Sequence, residues 1–297
     1  MMEENVKNIR IQPSQTLSIP GIEVAILRLD LLHPVVSGNK WFKLKVYLSE
    51  AKEQQKKMLA TFGGAYSNHI VATAYAAKES GMKSMGFIRG EPGNYTSPTL
   101  VDAASYGMEI RYISRTLFRD PANIIQENNH PSIYWIREGG YGTQGAKGAA
   151  TILDQVCLSD YSDIVCATGT GTMLAGIIKS ALPDQRLTGI CVLKNAPGIR
   201  NEIEQLLTLE ERKKNFLLQD GYTFGGYAKH TPVLLESMRA LWETEKIPSD
   251  FVYTGKLFFA VKDLLSKGYF AEKSRILVIH SGGLQGNASL PDKTLPF

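Results

Sequence analysis

YSDIVCATGTGTMLAGIIKSAL, residues 161–182, is the stretch whose reading decides the fold. YSDIVCAT (161–168) reads as a strand that runs into a glycine-rich turn, and TMLAGIIKSAL (172–182) reads as the helix that follows. Backbone N–H groups at such a strand-to-helix junction, with the hydroxyls of Thr168, Thr170 and Thr172, form a cradle for a phosphate. The dinucleotide fingerprint GxGxxG would need glycine at position 174, which is Leu174, and the P-loop ending Gly-Lys-Ser/Thr is absent. A phosphate cradle that matches neither pattern favours a smaller phosphate-bearing cofactor; a glycine-rich turn of purely structural use is the alternative.

Working outward, the same strand–turn–helix scheme recurs on both sides. Upstream, GIEVAILRL (21–29), KMLATF (57–62), KSMGFIR (83–89), MEIRYIS (108–114) and SIYWI (132–136) read as strands. Helices are expected over 40–55, 67–81, 97–107 and 146–157. Downstream, RLTGICVL (186–193) and RILVIHSGG (275–283) read as strands, and 251–268 as a turn and long helix. Strands that alternate with helices give an α/β fold with mostly parallel sheets covered on both faces. Ligands in such folds bind beyond the C-terminal ends of the strands. The glycine-rich turns at 63–64, 139–142, 169–171 and 282–283 all follow expected strands, so they can converge on one site.

The 297 residues suffice for two domains. A formal net charge of +4 is too weak to argue for nucleic acid. No apolar run approaches the ~20 residues of a membrane-spanning helix. The N-terminus MMEENVKNIRIQP lacks the apolar core of a signal peptide, and a cytoplasmic location is expected. Cys157, Cys166 and Cys191 show neither disulfide nor metal-ligand spacing, and all three are expected as buried core thiols. No metal site is expected.

Four further segments could carry chemistry. In SGNKWFKL (37–44), Lys40 stands at a loop-to-helix junction; such a lysine is ordinarily a surface charge, but partial burial there would lower its pKa as a Schiff-base lysine requires. In GGAYSNH (63–69), Ser67 or Asn68 caps a helix, and the same helix start can bind a carboxylate. YTGK (253–256) precedes a helix, and HSGG (280–283) ends a strand, where Ser281 could hydrogen-bond a ring nitrogen. His280 alone reads as a structural histidine.

Together with EGGYGTQGAKGA (138–149) and GGYA (225–228), these segments resemble, in order and over nearly the whole chain, the D-cysteine desulfhydrase and 1-aminocyclopropane-1-carboxylate (ACC) deaminase group of pyridoxal 5'-phosphate (PLP) enzymes. The resemblance implies the tryptophan-synthase-β fold, also called fold type II, with two three-layer αβα domains. A large PLP-binding domain would be built from 1–43 and 151–297, with a small domain, 44–150, inserted, PLP in the cleft between them, and a homodimer. It implies that Lys40 forms the Schiff base with PLP and moves the Cα proton. Asn68 would hydrogen-bond the phenolic oxygen of PLP. Ser67 would contact the substrate carboxylate or assist proton transfer, with His69 nearby. Gly169, Thr170, Gly171 and Thr172 would hold the phosphate, and Tyr227 and Tyr253 would face the substrate. The phosphate loop reads GTGTM (169–173) where relatives commonly read GSGGT; hydroxyls and glycines are kept.

The two activities of the group separate on three positions. ACC deaminases carry glutamate where this chain has Thr254, an apolar residue where it has Ser281, and SNQ where it has SNH at 67–69. Hydroxyl partners, Thr254 and Ser281, would leave the pyridine mostly neutral, which suffices for β-elimination. The resemblance therefore implies a lyase or hydrolase acting on a small amino acid, D-cysteine first. ACC deaminase, another PLP lyase or racemase, and a non-catalytic ligand-binding relative are the alternatives.

Overall fold

The strand that opens the decisive segment lies in a six-stranded sheet. The computed structural model describes residues 4–93, 96–194 and 198–297; the first three residues of the expected large domain lie outside them. In chain order its first half contains β1 (Ile11–Pro13), β2 (Glu23–Arg28), α1 (Asn39–Glu53), β3 (Met58–Gly63), α2 (Asn68–Glu79), β4 (Lys83–Arg89), α3 (Pro98–Ser105), β5 (Met108–Ile113), α4 (Arg115–Arg119), α5 (Pro121–Glu127) and β6 (Ile133–Ile136). The second half contains α6 (Thr143–Ala150), β7 (Asp163–Thr168), α7 (Thr172–Ser180), β8 (Arg186–Cys191), α8 (Ile199–Glu204), β9 (Phe216–Gln219), α9 (Pro232–Glu245), α10 (Thr254–Ser266) and β10 (Arg275–His280).

The larger sheet has the order β1-β2-β10-β7-β8-β9 and the smaller β5-β4-β3-β6. Every pairing is parallel except that of β1 with β2. Both sheets are middle layers. On β7, Ile164 and Cys166 face one apolar cluster with Phe42 of α1, Ala149 of α6 and Ile177 of α7, while Val165 and Ala167 face another with Leu257 and Val261 of α10. On β4, Phe87 packs with Phe118 and Ile124, and Ile88 packs with Ile70 and Leu100. The period-two alternation of each strand thus feeds two cores. The result is the two-sheet α/β architecture that the resemblance implies.

Each sheet has one point where successive strands depart in opposite directions. In the larger it lies between β10 and β7, in the smaller between β3 and β6. These are the positions where an open α/β sheet leaves a crevice for a ligand.

Helices α1, α6 and α7 pack on one another through close contacts at glycines. A Cβ on Gly148 of α6 would come within 2.0 Å of the Phe42 carbonyl oxygen of α1, so only glycine lets these helices approach. α1 is continuous, and the expected domain junction at 43/44 falls inside it.

Two expectations are corrected. The helix expected over 146–157 ends at Ala150. Beyond it the chain passes through short 3-10 turns, and Cys157 sits at the start of one of them, exposed. Cys166 and Cys191, on β7 and β8, are buried. The long helix expected after a turn within 251–268 starts at Thr254, where the buried Asp250 carboxylate takes the N–H groups of Val252, Tyr253 and Thr254.

Candidate active site

A cavity of about 370 Å³ opens at both crevices at once. Its wall is made by the loops after β3 (Tyr66–His69), β6 (Glu138, Gly139), β7 (Gly169–Gly171) and β10 (Ser281, Gly282), with Asn39, Lys40 and Lys43 from α1. Three of the four glycine-rich turns therefore line the cavity directly. The fourth, at 63–64, lies just before Tyr66 and does not line it.

Lys40 is placed by its neighbours. Gly38 adopts φ +61°, and a Cβ there would fall 1.8 Å from the Ser281 carbonyl oxygen. That close approach lets Asn39 N–H donate to the same carbonyl at 3.0 Å and sets the start of α1 beside the loop after β10. Lys40 Nζ donates to Asn39 Oδ1 at 2.8 Å. Burial brings its ammonium down to about 8, while Asp250 pulls it back up. A lysine in this range is available as the free amine near neutral pH, the state in which it can act as nucleophile or base.

The loop after β3 ends at Ser67, the N-cap of α2, whose Oγ accepts from His69 N at 3.3 Å. Asn68 Nδ2 donates to Gly283 O at 2.9 Å, pinning the small-sheet helix to the large-sheet loop, and its Oδ1 is buried without a partner among the described residues. His69 is held by a directional relay. Thr61 Oγ1 donates to Ile136 O at 2.9 Å, so it accepts from His69 Nε2, also at 2.9 Å. The ring proton is thereby fixed on Nε2, and Nδ1 is buried without a partner among the described residues. Burial, with Lys40 and Lys43 nearby, holds His69 well below its ordinary pKa, so the ring is neutral.

The loop after β7 turns through Gly171 in a left-handed conformation, and α7 starts at Thr172 with its N-terminal N–H groups at the cavity. Gly169, Thr170 and Gly171 line the wall. Thr172 does not; it is fully buried, with its hydroxyl 3.0 Å from that of Thr170. Thr168 lines the wall although its Oγ1 is buried. Tyr253 packs against Gly169, where a Cβ would meet its ring at 3.0 Å, and its ring meets that of Tyr227 edge-on at 6.3 Å between centroids. Removal from water, with Tyr227 and Asp250 adding to it, raises the Tyr253 phenol well above its ordinary value. Tyr227 is 41% exposed and stands at the mouth.

Thr254 is not brought to the cavity. Its Oγ1 accepts from Asp250 N at 2.8 Å and donates to Asp250 Oδ1 at 2.8 Å, and it is fully buried. The expectation that it meets a pyridine ring is corrected on this ground: Thr254 lies outside the cavity wall, and the one proton of its hydroxyl goes to Asp250. Ser281 does line the cavity. His280 is structural, donating through Nε2 to Pro248 O at 2.6 Å and accepting from Gly282 N at 3.1 Å.

Sequence reading missed Lys43, Asp250, Arg89 and Glu138, which all line the cavity. Lys43 donates to Gly139 O at 3.1 Å, and burial together with Lys40 holds it well below the ordinary lysine pKa. Its signal was available, because residues three apart on a helix share a face with Lys40. Asp250 carried the weaker signal of an acid just before a helix start.

This arrangement is that of an α/β enzyme with a lysine nucleophile and an anion cradle on one cavity. The family model described as pyridoxal-phosphate dependent enzyme matches residues 3–282. The chain belongs to that family, and PLP is its cofactor. It is 29% identical to a Pyrococcus furiosus protein provisionally named a 1-aminocyclopropane-1-carboxylate deaminase, over 93% of this chain and 89% of the relative. It is 25% identical to a Yersinia pestis D-cysteine desulfhydrase, over 89% and 87%. Among solved structures, an ACC deaminase homologue superposes with a TM-score of 0.81 at 29% identity, covering 94% of this chain and 90% of the other. The names of these relatives fit a lyase, and the expectation of a hydrolase is withdrawn. No helix among the described residues is long and apolar enough to cross a membrane.

The residues present fit PLP. A half-buried lysine of lowered pKa, a helix N-terminus behind two glycines, a buried amine at Lys43 and a hydroxyl at Ser281 share one wall.

Proposed function

We propose that the chain is a PLP-dependent lyase that removes a β-substituent and the amino group from a small amino acid, with D-cysteine as the first substrate to test. The observation that carries this reading is the state of the acids around the cavity. Asp250 is the buried one, and its carboxylate is already filled by N–H groups of Val252, Tyr253 and Thr254 at 2.9 Å each and by the Thr254 hydroxyl. The pyridine of a bound PLP would then have the hydroxyl of Ser281 as its partner rather than a free carboxylate, the condition that suits elimination of a good leaving group.

Bound PLP supplies an electron sink for negative charge at Cα. Lys40 would hold it covalently, Gly169–Gly171 and the α7 N-terminus its phosphate, and Asn68 and Ser281 its ring. Toward the substrate, the capped start of α2 at Ser67 receives the carboxylate, with His69 beside it. Lys40 Nζ takes the Cα proton. Tyr253, held in its protonated form, offers a proton to the departing sulfur. Tyr227 covers the mouth and limits water. D-Cysteine and water would yield pyruvate, sulfide and ammonia.

ACC deamination is the second reading, favoured by the Pyrococcus relatives and by the TM-score of 0.81 to the ACC deaminase homologue. Release of 2-oxo acid from D-cysteine and from ACC, measured in parallel on the PLP-loaded protein, decides between them. Pyruvate from D-cysteine alone is expected; 2-oxobutyrate from ACC would overturn the argument from the hydroxyl partner.

A further inference from the structure

Tyr227 rides on a turn with an unusual backbone. Phe224, Gly225, Gly226 and Ala228 all have positive φ, at 49°, 93°, 121° and 51°. Two of these are not glycine, and a left-handed backbone at such residues persists only where its surroundings hold it. The holding element is α10, which addresses the turn with three side chains spaced three residues apart. Tyr253 meets the Tyr227 ring. Phe259 meets the Phe224 ring edge-on at 5.0 Å. Between them, Lys256 donates to Thr223 O at 2.9 Å and to Gly226 O at 2.7 Å.

Lys256 is 0% exposed, so it has no water to turn to. Burial lowers its ammonium to about 8, and the nearby Asp250 raises it again. The two carbonyls that it binds also close the turn itself, accepting from Gly226 N at 2.9 Å and Lys229 N at 3.2 Å. A buried cation that spends two donors on the carbonyls at both ends of a strained turn is a fastener, and what it fastens is the residue at the cavity mouth.

We propose that Lys256 is a positioning residue that latches the 223–228 turn onto α10 and so sets Tyr227 against Tyr253 over the cavity. The placement itself is independent of the reaction; its consequence for catalysis rests on the lyase reading above.

The test uses the PLP-loaded protein and trypsin. Lys229 is exposed and sits one residue beyond the turn, so its cleavage reports release of the latch without any substrate. In Lys256→Met, which keeps the stem but loses the donors, cleavage at Lys229 should accelerate by about tenfold or more, the factor for one lost charge-assisted hydrogen bond. Lys256→Gln, which keeps an N–H donor and perturbs folding less, should fall between the two. In Phe224→Leu the bonds of Lys256 remain, and cleavage should stay within about twofold of the unaltered protein, because a partly buried ring contact that leucine partly replaces contributes less than a buried charged donor. Wild-type cleavage rates in both Lys256 variants, or a nicked turn in Phe224→Leu, would overturn the latch. A second readout is kinetic. On whichever amino acid the enzyme turns over, the losses from Lys256→Met and Tyr227→Phe should be non-additive in kcat/KM; additive losses would show that Lys256 does not act through Tyr227. If no substrate is found, the lyase reading fails while the proteolysis still decides on the latch.

Discussion

Lys40 and Thr254 show how far a single residue can be read. Lys40 stands at a helix start where a surface charge is the ordinary expectation; burial instead brings its ammonium to about 8. In the apoprotein, its labelling by trinitrobenzenesulfonate, followed by peptide mass spectrometry, should rise through about pH 8. A midpoint near the ordinary lysine value of 10.5 would refute this. The sign of the stability linkage follows from the same shift. A folded pKa below the unfolded one means that the folded chain binds fewer protons across the window from about 8 to 10.5. Its contribution therefore grows as pH rises through that window and is least below it. Thr254 shows the converse. The motif YTGK suggests a hydroxyl for the cofactor, but the hydroxyl bridges the Asp250 amide and carboxylate. Thr254→Ala should cost about 1–3 kcal/mol of stability by leaving buried polar groups short of a partner. Thr254→Ser should restore it, and the absorbance of bound PLP should be unchanged in both. A changed absorbance with unchanged thermal stability would return Thr254 to the cofactor.

At the scale of elements, what the sequence made legible followed from periodicity and punctuation. The β7–turn–α7 unit was readable because an apolar run, glycines and a helical pattern follow each other without interruption. The convergence of turns was readable in outline, since parallel strands send their C-terminal loops to one end. The end of α6 was not. Apolar residues continue at helical spacing to Cys157, but the chain leaves the helix at Thr151 and packs Ile152 and Leu153 against the core from short turns. Thr231 and Pro232, ordinary start signals, open α9. β9 is four residues long at the sheet edge, too short for a period to show. Site residues followed the same division. Lys40, Asn68 and the 169–171 turn were marked by the residues directly beside them, whereas Lys43, Asp250 and Glu138 depend on which helix face, cap or loop end the fold turns inward, a property of packing.

The whole molecule is two sheets that share one cavity, and the contacts that close it come from both. Asn68 of the smaller lobe binds Gly283 of the larger, and Lys43 of α1 binds the Gly139 carbonyl after β6. A cofactor seated there touches both lobes, so its binding energy should be felt by both. A ligand at a thousand times its Kd adds about 4 kcal/mol to folding. For a chain of this size that corresponds to a rise of about 8 °C in Tm, at about 2 °C per kcal/mol. Two tryptophans report the lobes separately: Trp135 on β6 in the smaller sheet and Trp242 on α9 beside the larger. Thermal unfolding followed by fluorescence, in variants that lack the third tryptophan, Trp41 on α1, and retain only one of these two, should show the same upward shift on adding PLP to the apoprotein. A shift seen only by Trp242 would mean that the smaller lobe is not clamped by the cofactor. In that case Ser67, Asn68 and His69 would have to reach the substrate by a separate closure of that lobe, and catalytic rate would depend on the mobility of α1, the helix that carries Lys40 between the two.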